Sequence, residues 1–146
     1  MAYSYNRTAF RSAATSTLPP LVRAYAMLVT LELSLKEVLP ARGLNCPRNH
    51  DVPEMLRRLS TTLPGAQKAN LKSLSVALRS TISYLWCEDV SGNPSHVAAS
   101  VYPNIRYLRH VQDWPASASS EADVTALATL SSQIAHTIGR STGVTP

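Results

Sequence analysis

The sequence predicts an all-α protein, an up-and-down antiparallel four-helix bundle with short additional helices. Three observations carry this. Apolar residues recur at steps of three and four over several long stretches. Pro and Gly gather near the edges of those stretches. Hydrophobic residues make up 45% of 146 residues, enough to bury a core in one domain. Only residues 81–86 and 99–102 carry strand-like runs, and both are short. A single domain over residues 1–146 follows, with residues 1–19 as a peripheral helix and turn.

Each element has its own reason. Residues 4–14 suit a short helix, and Thr15 to Pro20 a turn ending in Pro19-Pro20. Proline is well tolerated in a first helical turn, so Pro20 can open the next helix. From there Leu21, Tyr25, Leu28, Leu31, Leu35 and Val38 fall on one helical face. Val22, Ala24, Ala26 and Val29 widen that face, which predicts a central helix buried on more than one side. Pro40 is expected to stop it. Residues 40–50 read as a loop. Asp51-Val52-Pro53-Glu54 then has the capping-box spacing, with Met55, Leu56, Leu59 and Leu63 as the buried face. Pro64-Gly65 is expected to end that helix.

A longer helix is expected from Ala66 to Glu88, with Leu71, Leu74, Leu78, Ile82 and Leu85 as its stripe. Ser91-Gly92-Asn93-Pro94 reads as a turn. Residues 95–115 are irregular in pattern, with a short helix expected between Pro103 and Pro115. The last helix starts at Ser120 and carries Val124, Leu127, Ile134 and Ile138. Gly139 is its expected stop.

Charge narrows the function classes. Fourteen basic residues oppose nine acidic ones, and eleven of the fourteen are arginine. The planar arginine fork suits phosphate and carboxylate better than lysine does. A phosphate-bearing partner such as RNA, DNA or a nucleotide fits this bias; a simple compositional preference for arginine fits it too. No apolar run approaches the ~20 residues of a membrane span. The N-terminal twenty residues lack a secretory apolar core; their Arg and Ser/Thr content loosely suits a transit peptide, but a short helix and turn explain it as well. No membrane association and a cytoplasmic location are the expectation. Cys46 and Cys87 form no Cys-x-x-Cys pair, and they read as thiols in a reducing compartment.

The chemistry-bearing residues concentrate between Tyr102 and His110. This stretch holds Tyr102, Arg106, Tyr107, Arg109 and His110, with Asp113 and Trp114 just beyond. Arginine beside an aromatic can hold a phosphate while the ring stacks on a base. Tyrosines and a tryptophan that close the end of a bundle with wet polar tips explain the same residues. On a helix Arg106 and His110 share a face. His110 then suits proton transfer and Arg106 suits the charge that develops on a phosphate. A solvated Arg-His-Asp cluster is the plainer alternative. Cys46 and His50 lack a second ligand pair for zinc, so no metal and no cofactor is expected. Phosphate-cradling, dinucleotide-binding and nucleophile-elbow glycine motifs are absent. Glu32 lies in an apolar stretch, where it suits either an intrahelical pair with Lys36 or a buried polar role.

The order of these elements resembles the HEPN superfamily of small helical domains. The likeness runs over roughly residues 20–140. It rests on the central helix with its embedded glutamate (VTLELSLKEVL), on His50-Asp51-Val52-Pro53-Glu54-Met55-Leu56, and on Tyr102-x-x-x-Arg106-Tyr107. The resemblance implies a four-helix bundle, a homodimer, and a place in toxin–antitoxin, phage-defence or RNA-processing systems. It also implies metal-independent endoribonuclease activity where an arginine precedes a histidine by four to six intervening residues. The chain departs from that signature. Neither His50, His96, His110 nor His136 has an arginine at that spacing, and Arg106 and His110 have three residues between them. The expectation is therefore a binding module for RNA, a nucleotide or a protein partner. Its contact residues would be Tyr102, Arg106, Tyr107 and Arg109, with His110 beside them. Two alternatives stand beside it: a divergent ribonuclease using Arg106 and His110, and a purely structural subunit of a larger complex.

Overall fold

The computed structural model describes residues 12, 15–18, 20–82, 86–88, 94–96 and 121–142. Among them are four helices: α1 (Pro20–Ala41), α2 (Val52–Ser60), α3 (Gly65–Ile82) and α4 (Glu121–Thr142). Helix α1 packs on α2 and α4, and α3 packs on the same two. The four therefore close a ring around one apolar core, as an all-α bundle requires. Single-domain extent, residues 4–11, 13 and 14 of the expected first helix and the expected helix between Pro103 and Pro115 lie outside what the described residues cover.

Of the stripe that the spacing predicts on α1, Leu28, Leu31, Leu35 and Val38 are buried, Tyr25 is half-buried against the core, and the Leu21 side chain lies outside the described residues. Ala24 and Leu39 join the core. Ala26 and Ser34 are also buried, so the helix is covered on more than one side. The buried hydroxyl is satisfied locally: Ser34 Oγ donates to the Thr30 carbonyl at 2.9 Å, and Thr30 Oγ1 to the Ala26 carbonyl at 2.8 Å. Before α1, Thr15 to Leu18 form the expected turn. The Thr15 N–H and hydroxyl both reach the Ser12 carbonyl, and Arg23 Nε donates to the Leu18 carbonyl at 3.0 Å.

Pro40 does not stop α1. It sits in the last turn, and the helix runs on to Ala41. Gly43 makes the stop, at φ 70°. The Leu44 N–H bonds the Leu39 carbonyl and the Gly43 N–H bonds the Pro40 carbonyl, both at 3.0 Å. This is a Schellman cap, whose left-handed position favours glycine. Leu44 then packs against the core. Gly43→Ala has open space for its methyl group, so only the backbone conformation opposes it. A loss of about 1 kcal/mol in unfolding free energy is expected, measured by denaturant titration.

Asp51 caps α2 as expected, with Oδ1 accepting the Glu54 N–H at 3.0 Å. Glu54 does not complete the capping box. The Asp51 N–H is taken by Asn49 Oδ1, and both Glu54 oxygens face arginines. Helix α2 ends at Ser60, where the Ser60, Thr61 and Thr62 hydroxyls donate to the carbonyls of the last turn. Pro64-Gly65 opens α3 rather than ending α2. The Pro64 carbonyl accepts the Gln67 and Lys68 N–H groups, and Gly65 takes a positive φ of 38°. Ser75 Oγ donates to the Pro53 carbonyl at 2.6 Å, a buried bond that ties α3 to α2.

Helix α3 is shorter than the apolar periodicity suggests. It closes by Ile82, and Trp86–Glu88 (β1) instead pairs antiparallel with Pro94–His96 (β2). The register sets Trp86 opposite His96, Cys87 opposite Ser95 and Glu88 opposite Pro94. Trp86 suits a strand, and the Ser91-Gly92-Asn93 turn signal lies between the two strands in the chain. Leu85, the last residue of the expected stripe, lies outside the described residues. In α4 Val124, Leu127, Ile134 and Ile138 are buried with Leu130, and the helix passes through Gly139 to Thr142. A glycine inside a helix costs only about 1 kcal/mol, which does not end a helix held by tertiary packing.

Candidate functional site

Two polar networks meet where the α1–α2 loop returns to the bundle. The first centres on Glu32, which is only 5% exposed although it belongs to a helix of apolar residues. Its Oε1 is bound by Lys36 Nζ, one turn on, and by His50 Nδ1 at 2.9 Å. An ionised carboxylate only accepts, so the donor in this contact is an N–H on His50 Nδ1 when Glu32 is ionised. Glu32 thus has both the intrahelical partner and the buried role that its position suggests. The His50 contact adds something the spacing does not reveal: it holds the end of the loop against α1 across eighteen residues.

The second network surrounds the start of α2. Arg79 Nη2, from α3, reaches both Asp51 oxygens at 2.9 and 3.1 Å. Glu54 takes Arg57 by Nε and Nη2 at 2.6 and 2.7 Å, and Arg58 by Nε at 3.0 Å. Arg58 Nη1 also donates to the Asn45 carbonyl at 3.1 Å, fastening the loop to α2. The hydrogen bonds from Arg57, followed by those from Arg58, hold the Glu54 carboxyl down at about pKa 2.

That depression has a consequence for acid stability. The folded state holds the Glu54 carboxylate more tightly than the unfolded chain does. Its contribution is complete above about pH 4.5 and fades as pH falls through about 2. Both arginines are partly exposed, so solvent screening keeps the effect small. In Glu54→Gln the acid limb of the stability-versus-pH curve is expected to be shallower between pH 4.5 and 2.

Cys46 lies beside both networks. Burial pushes its thiol pKa up, and Glu32 adds to this, against the opposing pull of Lys36 and Arg58. A raised thiol pKa disfavours the thiolate, the nucleophilic form. Among the described residues no three His, Cys, Asp or Glu side chains are grouped to hold a metal ion. Likewise, no helix among them is long and apolar enough to cross a membrane. The networks hold the Arg57 and Arg58 guanidinium groups in place at the surface.

Comparison with family models, with curated proteins and with solved structures finds no match. Tyr102, Arg106, Tyr107, Arg109 and His110, the residues singled out for binding or catalysis, lie outside the described residues. So do Asp113 and Trp114. Of the residues that carry the HEPN resemblance, Glu32, His50, Asp51 and Glu54 are described, and they fall within the two adjoining networks. The Arg79–Asp51 pair has no sequence signal, because the partners are twenty-eight residues apart on different elements.

Proposed function

We propose that this chain is a HEPN-like helical module that forms a homodimer and binds RNA through phosphate contacts. Its setting is a prokaryotic toxin–antitoxin or phage-defence system in the cytoplasm. One observation supports the family reading most directly: His50 Nδ1 meets Glu32 Oε1 at 2.9 Å. The glutamate embedded in the central helix and the histidine before the next helix carry the resemblance, and their contact explains why a buried acid and a loop histidine occur together. The RNA reading rests on eleven arginines and on the Tyr102, Arg106, Tyr107 and Arg109 segment.

The test is equilibrium binding of a labelled single-stranded RNA by the full chain in EDTA. Binding is expected in EDTA, without cleavage, and about tenfold or more weaker in Arg106→Ala and Arg109→Ala variants of unchanged helical content. Cleavage that is lost in both Arg106→Ala and His110→Ala replaces the binding-module reading with a divergent metal-independent ribonuclease. No RNA affinity in the wild type contradicts the reading and leaves a nucleotide or a protein as the partner class.

A further inference from the structure

We propose that the α1–α2 loop and the exposed edge of α2 form a second phosphate-contacting surface for single-stranded RNA, built on Arg48, Arg57 and Arg58. This rests on the RNA-binding reading and adds a site to it. Residues 42–58 together with Arg79 carry five arginines against two carboxylates, Asp51 and Glu54. Three of the five arginines belong to one bonded network, and Arg48 lies beside it in the loop. Arg57 and Arg58 share Glu54, Arg58 holds Asn45, Asn49 holds the Asp51 N–H, and Asp51 holds Arg79.

The arginines are set in place and still have donors to offer. Arg57 gives Nε and Nη2 to Glu54, while Arg58 gives Nε to Glu54 and Nη1 to Asn45. A guanidinium carries five N–H donors, so each keeps some to spare. Their side chains are 53% and 37% exposed. A guanidinium already held in one orientation loses less entropy when a ligand binds. Arg48 is exposed in the loop, between Asn45, which Arg58 holds, and Asn49, which holds the Asp51 N–H. Arg57 and Arg58 are adjacent on α2, and Arg48 lies in the loop that Arg58 fastens to the helix through the Asn45 carbonyl. A row of fixed forks with a net positive charge favours a polyanion over an isolated carboxylate.

The experiment compares three full-length proteins with a labelled single-stranded RNA over a salt series. They are the wild type, Arg48→Glu/Arg57→Glu, and Lys68→Glu/Lys72→Glu, whose exposed lysines on α3 supply the same change in net charge. Thermal unfolding checks that all three are folded, and Arg48→Ala alone serves if the double arginine variant is not. The arginine pair is expected to weaken binding at least tenfold near 0.1 M salt. Its slope of log affinity against log salt should be shallower by about 0.7 for each phosphate that the variant no longer neutralises. The lysine pair is expected to change affinity less than threefold. Equal losses in the two double variants mean that net charge alone matters, which overturns the proposal. Unchanged binding in the arginine pair, with loss in Arg106→Ala, overturns this surface while the RNA reading stands. Wild-type protein that binds no RNA overturns both.

Discussion

Leu35→Ala is expected to lower the unfolding free energy by about 2–5 kcal/mol. Leu35 is fully buried and lies midway along the α1 stripe that faces the core. Truncation removes apolar packing and leaves a cavity that surrounding helices fill only in part. The comparison is Val76→Ala on α3. Val76 is 67% exposed, so its truncation is expected to fall within about 0.5 kcal/mol of the parent. Urea titration reads both, with a similar slope for each variant. A cost below about 1 kcal/mol for Leu35→Ala contradicts the placement of α1 in the ring.

Asp51→Ala is expected to cost about 2 kcal/mol. The substitution removes two interactions at once. The cap on the Glu54 N–H accounts for about 1 kcal/mol, and the two-oxygen contact with Arg79 for up to about 1 more. Half of the Arg79 side chain is exposed, so water takes up the guanidinium once its carboxylate is gone and nothing further is added. Asp51→Asn keeps a capping oxygen and gives up the charge, so it is expected to cost roughly half as much. Arg79→Ala removes the ion pair while leaving the Asp51 cap in place, and should cost about 1 kcal/mol. A cycle with Asp51→Ala, Arg79→Ala and the double variant isolates the coupling. Independent losses contradict the contact.

The helices were legible because burial follows a period that sequence displays. Leu28, Leu31, Leu35 and Val38 on α1, and Leu71, Leu74, Leu78 and Ile82 on α3, are buried as their spacing predicts. The ends were harder to read, because several residues can terminate a helix and the backbone selects among them. Pro40 fits inside a last turn, where its missing N–H costs one bond, and Gly43 supplies the left-handed residue that closes the cap. Gly139 carries no comparable signal in a helix that continues past it. At the site, Asp51 was readable as a cap because capping is local. The His50–Glu32 and Arg79–Asp51 contacts were not, because they depend on which helices the ring brings together.

The measurement that tests the account most directly is the affinity of the full chain for single-stranded RNA at low and at high salt, in EDTA. Arginine-to-phosphate binding releases counterions, so affinity is expected to fall steeply and log-linearly as salt rises. Affinity that is unchanged between the two salts contradicts phosphate recognition and, with it, the central claim.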